Sequence, residues 1–123
     1  MLPNVYPLVN VPAVRALAPD GVANVRVYGF GEAPQGVASP YATFQFISGV
    51  PVNHLAQRPV VDEVRAQFDI YGTTGAQARA LATAIRDAVE PTGHLVLFID
   101  QGRDPDTNAF RITASFDLWA ARP

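Results

Sequence analysis

The sequence predicts an α+β fold: a mostly antiparallel or mixed sheet of about five strands, with one long helix and a short N-terminal helix packed on one face. Three observations lead there. Over 62–70, Val64, Ala66, Phe68 and Ile70 alternate with Glu63, Arg65, Gln67 and Asp69, the period of two that sets one side of a strand on a core. Directly after it, Thr74, Gly75, Ala76 and Gln77 match a capping box, in which the Thr hydroxyl takes the Gln77 amide and the Gln side chain returns to the cap amide. Near the C-terminus, Phe110, Ile112, Ala114, Phe116 and Leu118 alternate with Arg111, Thr113, Ser115 and Asp117, a last strand of the same kind.

The helix opened by Thr74 begins at Gly75. Ala78, Leu81, Ile85 and Ala88 recur at helical spacing, Ala82 and Val89 widen the stripe, and Gln77, Arg79, Arg86 and Asp87 lie mostly away from it. Pro91 and Gly93 stop it. The small residues of the stripe let the axis sit close to a sheet, so this helix is expected on the apolar side of the strand before it.

Earlier in the chain, 9–17 reads as a short helix with Asn10 as its cap and Pro12 in the first turn, ended by a turn at Pro19, Asp20 and Gly21. Val25 and Val27, with Phe30 at the far end, alternate with Arg26 and Tyr28 in a first strand, and the Gly and Pro residues of 29–36 mark a loop. Pro40 precedes a second strand, 41–47, in which Ala42, Phe44 and Phe46 face one way and Thr43 and Gln45 the other. Gly49, Pro51 and Pro59 make 48–60 read as a long connection, too long for a tight hairpin turn. Over 94–100, Leu95, Val96, Leu97, Phe98 and Ile99 form a continuous apolar run, which suggests a strand covered on both faces or contacting a neighbour. The polar 100–108 is a turn region. Strand order stays open, and the long helix is free to make a crossover between the third and fourth strands.

At 123 residues the chain fits one domain, 1–123, large enough for a single two-layer core. It has no cysteine, so disulfides and thiolate metal sites are excluded, and a cytosolic or virion setting fits as well as a secreted one. The first residues carry neither a basic region nor an apolar run, so no signal peptide is expected, and no stretch approaches the ~20 apolar residues of a membrane span. A soluble protein with no membrane partner follows. The formal charge of −2 speaks against strong nucleic-acid binding, which draws on a basic stripe. Charged residues make up 16% of the chain against about 25% in an average soluble domain, beside 49% hydrophobic residues. Some of that surface is easier to understand if partners cover it. An Ala-rich and Val-rich composition gives the same percentages without creating patches.

Tests for chemistry come back empty. His54 and His94 have no helical partner four residues away and no cysteine companion, so no metal site is expected. Asp104, Asp106 and Asn108 match the first half of a calcium loop, but Ala109 stands where the turn needs Gly and Ser115 where a bidentate Glu is expected; a solvated hairpin loop is the better reading. Gly29, Phe30 and Gly31 follow a strand, yet Pro34 takes the third glycine's place and no helix follows to hold phosphate. Asp62 and Glu63 point to opposite faces and cannot share a substrate. Arg65, Gln67 and Asp69 share a face, where polar residues are ordinarily just solvated. Tyr71 and Trp119 read either as interface anchors or as rings covering the ends of their own sheet. The residues therefore predict no enzyme and no cofactor. The candidate interface residues are Tyr71, Trp119, Arg65, Gln67, His54 and Arg58.

Taken together, the segments carry a resemblance. The stretch 11–17 (Val-Pro-Ala-Val-Arg-Ala-Leu), then Arg26-Val27-Tyr28 leading to Ala33-Pro34-Gln35-Gly36, and Pro40-Tyr41-Ala42-Thr43-Phe44-Gln45 resemble the N-terminal half of the tail-completion or tail-terminator family of long-tailed phages. Arg65-Ala66-Gln67-Phe68-Asp69-Ile70-Tyr71 and the Ala-rich helix over 78–89 are similar to its middle. The sequence departs where Gly29, not proline, follows Tyr28, and 48–60 has no matching feature. The resemblance implies a virion protein, assembled in the host cytoplasm, that forms a homo-oligomeric ring, as a hexamer, on the head-proximal end of the tail tube. There it would meet the major tail tube protein, stop further subunits from adding, and present a surface to the head connector or stopper, with DNA only as passing cargo. Gene transfer agents carry similar tubes. Two other roles stay open: a head-side connector or stopper subunit, and a small ligand-binding α+β domain with an apolar pocket.

Overall fold

The period-two stretches pair into one sheet, and the helical stripe closes its apolar side. The computed structural model describes residues 4–29, 31–54, 57–103, 105 and 108–121, with the backbone alone at 48–54, 57–63 and 119–121. In chain order the elements are α1 (Tyr6–Val9), α2 (Pro12–Leu17), β1 (Pro19–Asp20), β2 (Asn24–Val25), β3 (Val27–Gly29), β4 (Tyr41–His54), β5 (Gln57–Gly72), α3 (Gly75–Val89), β6 (Gly93–Arg103) and β7 (Phe110–Ala121). The large sheet has the order β3-β4-β5-β7-β6, and β1 and β2 form a separate antiparallel pair. β3 runs parallel to β4, and the other pairings are antiparallel, so the sheet is mixed.

Since β5 and β6 each run antiparallel to the β7 between them, they are parallel to one another, and α3 is the crossover that joins them. The helix begins at Gly75 as its cap requires: Thr74 is extended, and its Oγ1 accepts from the Gln77 amide at 3.1 Å. The second half of the box differs from expectation. Gln77 Oε1 accepts from the Thr73 amide at 2.8 Å and from Thr73 Oγ1 at 2.7 Å, one residue before the cap amide. Ala78, Leu81, Ala82, Ile85 and Val89 are fully buried against Ala66, Phe68, Ile70, Ile112, Ala114 and Phe116. Phe68 and Phe116 meet edge to face with centroids 5.7 Å apart, and Phe44 lies 5.8 Å from Phe68. α1 and α2 rest on α3 and bury Val9 and Val14.

Four expectations are corrected. The single helix over 9–17 is two short ones, because Pro12 forces Val11 into an extended backbone (φ −124°, ψ 159°), which ends α1 before α2 begins. Asn10 is not an N-cap but the C-cap of α1: its amide donates to the Tyr6 carbonyl, its Nδ2 donates to the Ala23 carbonyl at 3.0 Å and its Oδ1 accepts from Arg15 at 2.9 Å. The first strand breaks at Arg26, whose amide donates to the Ala18 carbonyl at 2.8 Å and whose carbonyl accepts from the Ala42 amide at 2.9 Å. Val25 and Val27 are still buried on either side of it, and Phe30 lies outside the described residues.

The fourth correction is the largest. Where it is described, at 48–54 and 57–60, the stretch is not a loop but strand at the far end of a hairpin, with Val50 paired to Glu63, Pro51 to Asp62, Val52 to Val61 and His54 to Gln57. Pro51 is tolerated because β3 pairs only with Ala42, Thr43 and Phe44, so this part of β4 has no strand on its outer side among the described residues and a missing N–H costs it no ladder bond. β6 is the outermost strand and leaves residues 96–99 exposed, so of its two readings cover on both faces is not met among the described residues, and contact with a neighbour stays open. The turn expected at 104–108 falls mostly outside the described residues. Among these, no helix is long and apolar enough to cross a membrane.

Candidate assembly surface

Opposite the helices, register lines up the polar alternates of the central strands. Tyr41, Tyr71 and Arg111 form one row, Thr43, Asp69 and Thr113 the next, then Gln45, Gln67 and Ser115, then Ser48, Arg65 and Asp117. These side chains bond to one another and are not simply solvated, as their period alone suggested. Arg65 grips Asp117 with two bonds, Nε to Oδ1 at 2.8 Å and NH2 to Oδ2 at 3.2 Å, a bidentate pair between neighbouring strands. The Thr113 hydroxyl donates to Asp69 Oδ1 at 2.9 Å, and Gln67 Nε2 approaches the same oxygen at 3.5 Å. Thr113 and Ser115 are buried although they sit on this open face, because longer neighbours shade them. At one end Tyr41 and Tyr71 stack with centroids 4.9 Å apart. Burial raises the Tyr41 hydroxyl above its ordinary 10.0, and the neighbouring Tyr71 adds to the shift.

The face is therefore polar, ordered and largely satisfied within the chain. The edge beside it is different. On β6, Val96, Leu97, Phe98 and Ile99 are 42%, 39%, 37% and 41% exposed, unusual for four consecutive large apolar residues. Leu97 pairs with Ser115 and Ile99 with Thr113, so both lie on the polar face, while Phe98 pairs with Ala114 on the helix side. There the Arg86 guanidinium stands 5.8 Å from the Phe98 ring and Arg79 meets Asp100 at 3.5 Å. The edge thus shows apolar side chains to both sides of the sheet.

Of the residues singled out from the sequence, Arg65, Gln67 and Tyr71 share the open face of β5. Trp119 pairs with Glu63, in register with that row, while His54 pairs with Gln57 at the hairpin end and Arg58 follows it; the side chains of these three lie outside the described residues. Sequence reasoning missed the partners Asp117 and Thr113. Their signal was present: an Arg on one alternating strand and an Asp on another, each on its polar side. It also missed that 96–99 is an edge. Among the described residues, no group of three or more His, Asp or Glu side chains could hold a metal ion.

Residues 7–121 match the family described as tail completion protein gp17. The chain belongs to this family. As a tail completion protein it is a structural tail protein and a component of the virion. Its fold recurs in a solved structure described as the virion of a native gene transfer agent particle, with a TM-score of 0.64, 19% identity, and coverage of 96% of this chain and 92% of that one. No curated protein sequence matches it.

Proposed function

We propose that this chain, as one domain, forms a homo-oligomeric ring, a hexamer, on the head-proximal end of the tail tube. There it ends tube polymerisation by covering the last major tail tube subunits, and it offers its other side to the head connector or stopper. The observation that carries the reading is the uncovered apolar run of β6 in a member of the tail completion family. A structural tail protein that leaves four large apolar residues on a strand edge is built to be covered by another subunit. DNA passes as cargo, which the net charge of −2 and the internal pairing of Arg65 with Asp117 favour over tight phosphate binding. Tyr71, Trp119, Arg65, Gln67, His54 and Arg58 are the residues proposed for contacts, and no catalytic or cofactor role is assigned.

Tail tubes assembled with and without the protein test this. Uniform lengths and a ring at one tube end are expected with it, and overlong tubes without it. A protein that binds filled heads but never tubes would instead be a head-side stopper.

A further inference from the structure

We propose that the free edge of β6 pairs, antiparallel, with the free edge of β4 beyond Phe44 in the next copy, so that the sheet runs on from subunit to subunit. This rests on the ring reading and says which surfaces make the ring.

A strand edge presents a row of unpaired N–H and C=O groups, and proteins that do not use such an edge usually blunt it with charge. Neither edge here is blunted that way. Between 93 and 99, and again between 45 and 54, there is no Asp, Glu, Lys or Arg. The β6 stretch is apolar apart from His94, and the β4 stretch mixes Phe46, Ile47, Val50 and Val52 with uncharged polar residues; each is open on one side among the described residues, β6 because it ends the sheet, β4 because β3 stops opposite Phe44. An added strand would cover Leu97 and Ile99 on one face and Phe98 on the other.

The directions agree. From β4 to β5, to β7, to β6, every step is antiparallel, so β4 and β6 of one chain run oppositely. Repeating the sheet by rotation brings β6 of one copy beside β4 of the next in the antiparallel sense. Because the two edges differ, the contact is heterologous and passes head to tail, the kind that closes into rings, whereas β6 against β6 would stop at a pair. Leu97 lies level, through Ser115 and Gln67, with Gln45, which precedes the free part of β4. Each copy must therefore slide by at least about two residues, roughly 7 Å, and closed sheets require such a stagger. Register shifts at Phe46/Ser48 and Leu95/Leu97, and the missing N–H of Pro51, keep the ladder short, so side-chain burial carries much of the contact.

Cysteine pairs test this in a chain that has none. Within one chain Ile47 and Leu97 are three strand spacings apart, about 14 Å, beyond the ~7 Å limit for a disulfide. The double variant Ile47→Cys/Leu97→Cys, with Val50→Cys or Val52→Cys and Ile99→Cys tried in turn to find the register, is oxidised on tail tubes and run under denaturing conditions. A ladder of covalent multimers from at least one double variant, with each single variant left monomeric, is the expected result. Rings with no ladder from any pair overturn the edge pairing and leave the ring reading standing. A single Leu97→Cys variant that gives only dimers overturns it in favour of β6 against β6. A chain that stays monomeric beside tail tubes overturns both.

Discussion

Replacing Gly72 with Ala measures how closely α3 sits on the end of β5. A Cβ at Gly72 would lie 2.7 Å from the Ala78 amide nitrogen, 3.1 Å from its Cα and 3.2 Å from its Cβ, where ordinary contact begins at 3.4 Å. The shortfall, 3.4 − 2.7 = 0.7 Å, falls on backbone that cannot swing aside. The Ala78 amide is tied to the Thr74 carbonyl at 3.1 Å, and its side chain is fully buried. Overpacking of this kind costs about 1–3 kcal/mol. Against it stands about 0.4–1 kcal/mol gained by restricting the unfolded chain, since Gly72 is not in the left-handed region and Ala can adopt its backbone. The net is a loss of about 1–2 kcal/mol. Gly75→Ala, three residues on, should go the other way: its Cβ meets only the far end of the Arg79 side chain, at 3.0 Å, and Ala is the better helix former by up to about 1 kcal/mol. Urea unfolding followed by far-ultraviolet circular dichroism reads both. If Gly72→Ala is as stable as the parent, or Gly75→Ala is the worse of the two, α3 does not approach the strand as described.

Phe68→Ala removes a fully buried ring at the meeting of Phe44 and Phe116 and should cost about 3–5 kcal/mol. Gln67→Ala, one residue away on the half-buried polar face, should cost about 1 kcal/mol or less; the reverse order in denaturant melts would mean the register of β5 is slipped by one. Thr74→Ala removes the cap bond to Gln77 and should lower stability by about 1 kcal/mol, with helix content falling at the same midpoint. Raising the Tyr41 pKa means the unfolded chain loses its proton first, so the stabilisation is whole below pH 10.0 and drains away as pH climbs through the folded value. Tyr41→Phe should make that alkaline decline shallower, and an unchanged profile would count against the buried hydroxyl.

Local patterns carried most of the core. The alternation in β5 and β7 and the stripe of α3 name residues whose burial is decided within a few positions, and Phe68, Ile70, Leu81, Ile85, Ile112 and Phe116 lie where those periods put them. What stayed hidden depends on pieces far apart in sequence. The parallel pairing of β3 with β4 joins strands separated by a loop, and no local period encodes it. Pro51 reads as a breaker because a proline in a central strand loses a ladder bond. On a stretch of β4 with one open side among the described residues that loss vanishes, and only knowing where β3 stops reveals it. The Arg65–Asp117 pair was legible as two polar positions but not as a pair until β5 and β7 were neighbours.

The two-sided reading of β6 bears on function. A continuous apolar run means cover on both faces or contact with a neighbour. Among the described residues nothing supplies the cover: β6 ends the sheet, and its four central residues stay near 40% exposed. Either the pattern is an accident of an Ala-rich and Val-rich composition, or it was written for a larger object than one chain. Composition alone would scatter apolar residues singly over the surface. Here they are consecutive and uncharged on one edge, while the neighbouring face of the same sheet keeps its Arg, Asp, Gln and Thr bonded to one another. Two surfaces so close together with such different chemistry argue for different fates: the polar face is ordered within the chain before any partner meets it, and the edge is the surface proposed for a neighbouring copy.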